Sequence, residues 1–266
     1  MRILVTGAAG SIGRVVTVGL ADRGHTVVGL DRVPQPGGED GRWYTVDCTD
    51  ADAVAAVFEA ESFDGVVHLA SYPGELNLPD SLSSHVVTTG ALLDAMVEHG
   101  VSRLVYASSN HAVGRTPRQE LVRTDTRPRP DTFYGVGKVA AEALLSLYAD
   151  RYGVDAVACR IGSFLERPTT VRHLGTWLSH DDAVRMVEAA LTTPAPGFAV
   201  LYGISANTRA WWDLEPGRAL GYAPLDDAEE FAGSVAPGPD DDAEAAYVGG
   251  DYTFTGMHRP ALDRTS

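Results

Sequence analysis

Short apolar runs alternate along the chain with stretches in which apolar residues recur every three or four positions. Arg2 to Val5 is apolar and β-branched and predicts a first strand. From Ile12 the spacing turns helical, with Ile12, Val15, Val16 and Leu20 on one face. Further strands are predicted at 25–30 running into Asp31, at 43–46 running into Asp47 and Cys48, and at 66–70, 103–107, 156–160 and 198–202. Helices are predicted at 51–60, 80–99, 134–152 and 181–191, with a short one near 212–220. Residues 114–131, rich in Arg, Pro and Thr, read as a loop. Strands alternating with helices imply a doubly wound α/β fold, its parallel sheet covered on both faces. Beyond Arg160 the pattern loosens. From Asp226 the chain is acidic and carries Pro and Gly, which predicts a surface wrap with partly mobile stretches.

The first strand and first helix are joined by Thr6-Gly7-Ala8-Ala9-Gly10-Ser11-Ile12-Gly13. In that context Gly7, Gly10 and Gly13 let the chain turn tightly and bring backbone N–H groups to a pyrophosphate at the helix N-terminus. Ser11 and Ile12 belong to the same turn. No Gly-Lys-Ser/Thr ending follows, which excludes a nucleoside triphosphate loop. Asp31, at the end of the second strand, suits the ribose hydroxyls and repels a 2′-phosphate, favouring NAD over NADP. Its neighbour Arg32 is the competing signal, as a phosphate acceptor. Asp47, with Cys48 beside it, either faces the adenine amino group or caps the helix that follows.

Composition narrows the partners. The 266 residues carry a formal net charge of −15, a poor match for nucleic acid or anionic membranes. Hydrophobic content is 44%, enough for a sizeable core, and no apolar run approaches a membrane span. The first strand begins directly after Met1, so no signal peptide is expected and the location expected is cytoplasmic. Cys48 and Cys159 read as core thiols in a reducing compartment. The 21 basic residues other than His include one lysine, Lys138, four positions after Tyr134. That spacing puts both on one helix face. A phenol ionises near pH ~10, and a cation close by lowers that value, giving a base able to take a carbinol proton while hydride leaves. Ser109, after the 103–107 strand, is placed to hydrogen-bond the reacting oxygen.

These segments together resemble the extended short-chain dehydrogenase/reductases: TGAAGSIG at 6–13, Asp31, Asp47, HLA at 68–70, ASSNH at 107–111 and YGVGK at 134–138. The second half, with RIGS at 160–163, Arg172, TWLSHDD at 176–182, YGISAN at 202–207, WWD at 211–213 and LGY at 220–222, is similar to that of the bacterial uronate dehydrogenases. The resemblance implies a single Rossmann domain over 1–266 with substrate-cap elements mainly in 162–266. It implies NAD-dependent oxidation of the C1 hemiacetal of glucuronate or galacturonate to the aldarolactone, and a homodimer or higher homo-oligomer paired through the helices near 80–99 and 133–152. By position it implies Tyr134 as base, Lys138 as its electrostatic partner and ribose ligand, and Ser109 as hydroxyl donor. Ser109, Asn110 and His111 would hold sugar oxygens, and Ser163 and Arg172 the uronate, with Arg172 forked onto the carboxylate. Leu69, Ala70 and Ser71 would line the nicotinamide side and Phe164 the nicotinamide end. Three positions depart from the family pattern. Pro73 stands where a substrate-touching serine is usual, Val87 where the long helix usually carries an asparagine of a proton relay, and Gly137 where a serine precedes the lysine.

Several residues also have plainer readings. His111 is otherwise a loop-capping residue, and Arg172 otherwise a surface partner of Glu166. His180-Asp181-Asp182 reads as a helix N-cap with acids favouring the dipole, not as a metal trio. Trp211-Trp212 reads as core packing. Arg115, Arg118, Arg123, Arg127 and Arg129 read as a solvated loop, and Asp240 to Asp242 as a solvated turn. No metal is expected. Rival functions are a dehydrogenase of a phosphorylated aldose such as glucose 6-phosphate, a nucleotide-sugar epimerase or dehydratase, and a dinucleotide-sensing binding protein.

Overall fold

The computed structural model describes residues 1–35, 42–118 and 121–254. Its elements run β1 (Arg2–Thr6), α1 (Ser11–Asp22), β2 (Thr26–Asp31), β3 (Trp43–Thr45), α2 (Ala51–Ala60) and β4 (Gly65–His68). Then come α3 (Leu78–Leu82), a π turn (Ser83–Val87), α4 (Thr88–Glu98), β5 (Arg103–Ser109), α5 (Phe133–Tyr152) and β6 (Asp155–Ile161). The rest comprises β7 (Ser163–Phe164), α6 (His173–Thr176), β8 (Trp177–Leu178), α7 (His180–Thr192), β9 (Phe198–Gly203), α8 (Glu215–Ala219) and α9 (Asp241–Glu244). Seven parallel strands form one sheet in the order β3-β2-β1-β4-β5-β6-β9. The order reverses between β1 and β4, so a crevice opens there at the carboxyl ends of the strands.

Both faces of the sheet are covered, as the continuous apolar strands require. Leu4, Leu30, Val66, Leu104 and Tyr106 pack under α2, α4 and α5, through Val54, Phe58, Leu92, Leu93, Met96 and Leu145. Val5, Val67, Val105, Val157 and Leu201 pack under α1 and α7, through Val16, Leu20, Met186, Val187 and Leu191. Each large apolar side chain buried this way contributes about 1.5–3 kcal/mol. Cys48 and Cys159 are buried and unpaired, as expected of core thiols.

Three expectations change. The long helix at 80–99 is broken by the π turn, whose extra residue shifts the inward-facing positions. The short helix near 212–220 contracts to α8, because Trp211 and Trp212 are drawn into a buried cluster with Tyr202 and Ile204. Two loop arginines are docked: Arg118 lies 3.9 Å over the Trp211 ring, and Arg115 lies 4.7 Å over the Tyr247 ring. Positions 119–120 of that loop lie outside the described residues, as does the tail from 255. Beyond 162, β9 extends the main sheet and α7 packs on it, at the positions the apolar spacing predicts. Residues 226–254 wrap back as expected, and the start of this stretch is pinned. Asp182 accepts the Leu225 and Asp226 N–H groups at 2.9 and 3.0 Å, and Ala228 is buried beside Leu174 and Trp177. Among the described residues no helix is long and apolar enough to cross a membrane.

Candidate active site

The crevice begins at the glycine turn. Gly7 has φ +68°, and a Cβ on it would stand 2.7 Å from the Ala70 amide, so glycine alone lets β1 and the end of β4 close. α1 starts at Ser11 with neither a side-chain cap nor an acidic residue in its first turn, which leaves N–H groups for an anionic ligand. Asp31 braces the turn, accepting from Ala9 N at 3.0 Å and Val33 N at 3.3 Å. Asp47 closes its own turn by accepting from the Thr49 N–H and hydroxyl at 2.9 and 2.8 Å. Those bonds hold its carboxyl below the usual range. The cap of α2 is Asp50, which removes the capping role considered for Asp47. Asp31, Arg32, Asp47, Cys48 and Ala70 line one compartment of about 550 Å³. It shares Gly7, Gly10, Leu69, Ser71 and Pro73 as walls with a second of about 360 Å³.

The second compartment gathers Ser109, Asn110, His111, Tyr134, Lys138 and Phe164. β5 runs two residues further than its apolar pattern and carries Ser108 and Ser109 to the rim. α5 is started by Thr132, whose hydroxyl accepts from Gly135 N at 2.9 Å. Glu75 caps it as well, its two carboxylate oxygens accepting from Phe133 N at 3.0 Å and Tyr134 N at 3.1 Å. Behind the rim, Glu142 and Arg160 form a buried fork with bonds of 3.0 and 2.8 Å, and Ser108 Oγ donates to the same carboxylate at 2.5 Å.

Lys138 is 2% exposed. Its Nζ donates to the Ala107 carbonyl at 2.6 Å and to Ser71 Oγ at 3.2 Å, and burial brings its pKa down to about 7. Burial pushes the Tyr134 phenol up to about 12, with the Ser109 hydroxyl opposing that rise. The lowered phenol expected from the Tyr-Lys spacing is therefore not found in this form. Lys138 Nζ lies 5.4 Å over the Tyr134 ring, and desolvation outweighs its charge.

His111 Nδ1 lies 2.8 Å from Asp131 Oδ2, a carboxylate with no exposed surface. The contact puts a ring hydrogen on Nδ1, pointing at that carboxylate. Tyr252, from the C-terminal strap 250–253, closes the compartment and packs edge-on to His111 with ring centres 4.7 Å apart.

Ser163 and Arg172 do not line the compartment. Ser163 Oγ bonds Thr176 Oγ1 at 2.8 Å. Arg172 donates to the Val248 carbonyl at 2.6 Å and lies under Gly250, not against Glu166. Among the described residues no carboxylate forms an ion pair with it, and burial holds its pKa below the ordinary guanidinium value. His180 stacks on Phe164 at 4.7 Å, and Ser179, not His180, caps α7. No metal-ligating cluster occurs among the described residues. Val87 is 51% exposed, whereas His85 in the same π turn faces Tyr134. The inward position on this helix is therefore His85, which removes Val87 from the site. Glu75, His85 and Tyr252 carry no local signal of their role, because each reaches the site from a distant element. Only Asp131, directly before the α5 cap, had a readable position.

The sequence profile described as the NAD dependent epimerase/dehydratase family matches residues 3–174. A uronate dehydrogenase of Agrobacterium fabrum is 38% identical over 255 residues, covering 94% of this chain and 96% of that protein. A uronate dehydrogenase of Pseudomonas syringae pv. tomato is 35% identical over 261 residues, covering 96% and 94%. Among solved structures, a mutant uronate dehydrogenase from Agrobacterium tumefaciens complexed with NAD superposes with a TM-score of 0.87 at 37% identity, covering 95% of this chain and 96% of that one.

Proposed function

The chain belongs to the NAD dependent epimerase/dehydratase family, and we propose that its crevice oxidises a hexuronate at C1 to the aldarolactone with NAD. The observation that carries this reading is the continuity of the crevice. One wall runs from the Gly7–Gly13 turn and Asp31 to Ser109, His111, Tyr134 and Lys138. The dinucleotide end fits the cofactor: a glycine turn that any Cβ would fill, an uncapped helix start and a strand-end carboxylate. Gly7, Gly10, Ser11, Ile12, Gly13, Asp31, Asp47, Cys48, Leu69, Ala70, Ser71 and Phe164 would hold it, together with Tyr134 and Lys138. When bound, the cofactor supplies the acceptor for the hydride from C1.

This chain's residues move the proton. Tyr134 takes the hydrogen of the C1 hydroxyl as C1–H leaves with its electron pair, so C1–O becomes a lactone carbonyl. Ser109 orients that oxygen and holds its hydroxyl toward Tyr134. Lys138 supplies positive charge that stabilises the phenolate. His111, fixed by Asp131, bonds a sugar hydroxyl through Nε2, and Asn110 bonds a neighbouring one. Pro73 and Tyr252 exclude water. Arg172 is partly buried, with the Val248 carbonyl as acceptor and Glu244, Asp251 and Asp131 in its field, and a ligand carboxylate would match its fork. Arg172 and Ser163 would receive the uronate only after the Val248 carbonyl releases the guanidinium and Thr176 releases the Ser163 hydroxyl. We read residues 1–266 as one Rossmann unit whose substrate elements lie mainly beyond 162, acting as a dimer or higher homo-oligomer.

The test is direct. Purified protein with NAD and glucuronate or galacturonate produces NADH, followed by absorbance. Silence with both uronates, or production with glucose 6-phosphate alone, refutes the reading.

A further inference from the structure

The loop between β4 and α3, residues 69–77, is the partition between the two compartments, with Leu69, Ser71 and Pro73 facing both. It is also bonded to both members of the reactive pair on α5. Ser71 Oγ accepts from Lys138 Nζ at 3.2 Å. Glu75, four residues on, accepts from the Tyr134 N–H at 3.1 Å through one carboxylate oxygen and from the Phe133 N–H at 3.0 Å through the other. One loop therefore holds the lysine by its ammonium and the tyrosine by its backbone.

Starting a helix requires no carboxylate from so far away. α2, α3 and α7 begin on the local side-chain caps Asp50, Asn77 and Ser179. α5 has its own in Thr132, whose hydroxyl and carbonyl take the Gly135 and Val136 N–H groups at 2.9 and 3.0 Å. The Phe133 and Tyr134 N–H groups remain, at a helix end where Phe133 is 46% exposed and water can serve them. Glu75 is itself exposed, so its bonds add little to the stability of the fold. What they fix is position. A Cβ on Gly135 would stand 2.5 Å from the His111 carbonyl oxygen, so the other side of this helical turn lies directly against the segment carrying Ser109, Asn110 and His111. The first turn of α5, and Tyr134 with it, is wedged between the sugar-binding segment and the loop at 69–77. A base displaced by about 1 Å can lose about 100-fold in rate, so the wedge matters to the chemistry.

We infer that Glu75 is a positioning residue that couples occupancy of the dinucleotide compartment to the placement of Tyr134. Filling that compartment orders residues 69–73, and Glu75 carries the order to the Tyr134 amide. The base is then set against the sugar only when a hydride acceptor is in place. The effect on rate rests on the dehydrogenase reading; the coupling itself does not. Only hydrogen bonds change.

The coupling is read without any sugar. When NAD saturates the wild-type protein, amide hydrogen exchange should slow about fivefold or more at Phe133 and Tyr134. In Glu75→Ala that slowing should vanish at these two amides and persist in the Gly7–Gly13 turn, with the Kd for NAD from calorimetry within about threefold. No slowing in the wild type, or equal slowing in Glu75→Ala, overturns the proposal. With a uronate, Glu75→Ala should lower kcat about tenfold, enlarge the isotope effect from deuterium at C1, and leave the KM for NAD within about twofold. Glu75→Gln gives up the charge but keeps an acceptor for one amide, and should recover most of the rate. An unchanged kcat in Glu75→Ala, or an equally deep loss in Glu75→Gln, overturns the positioning role. Should Glu75→Ala not fold, the wild-type exchange experiment still decides. A wild-type protein silent on uronates overturns only the functional reading.

Discussion

Burial sets the protonation of both reactive side chains on α5. Lys138, near pKa 7 when folded and 10.5 when unfolded, binds its proton more weakly in the native state. Between those values the unfolded chain holds the extra proton, so native stability rises with pH across that window and is flat below it. Thermal unfolding of the cofactor-free protein should shift upward from pH 7 to about 9.5, and Lys138→Met should flatten that slope. Equal slopes would show that the ammonium is not desolvated. Tyr134→Phe should cut kcat by at least about 100-fold while NAD binding, measured by calorimetry, stays near wild type. The Tyr134–Lys138–Ser109 trio was legible because helix period and strand end are local patterns. The protonation of Tyr134 was not, since it depends on how much protein surrounds the ring.

Elements hold these residues through contacts that no local pattern announces. α5 takes one cap from adjacent Thr132 and another from Glu75, 58 positions before Phe133. The Glu142–Arg160 fork ties α5 to β6 and, through Ser108, to β5. Glu142→Ala leaves a buried guanidinium without its carboxylate, bonded to the Thr124 carbonyl, and should cost about 3–5 kcal/mol in urea unfolding. A loss under 1 kcal/mol would mean that water reaches Arg160. Helices such as α2 were readable to the residue because an aspartate cap and an apolar stripe coincide. The π turn was not, since Ser83 to Val87 has ordinary helical spacing and the bulge answers tertiary packing around His85 and Gly137.

At the scale of the whole molecule, the seven-stranded sheet followed from alternating strands and helices, because burial on both faces writes itself into apolar runs. The substrate end did not. Its closure depends on the strap at 250–253 returning to His111 and Arg172 across more than 75 residues of chain. Tyr252→Ala should raise the KM for the sugar acid about tenfold and leave the KM for NAD within twofold, read from initial rates. An unchanged sugar KM would place the strap outside the site. The strap's position in the chain also gives the protein an order of manufacture. Every residue lining the larger compartment is made before residue 89, and the residue that closes the sugar compartment is made more than 150 residues later. The walls of the adenine end therefore emerge first, those of the nicotinamide end follow with Tyr134, Lys138 and Phe164, and the sugar chamber is closed last.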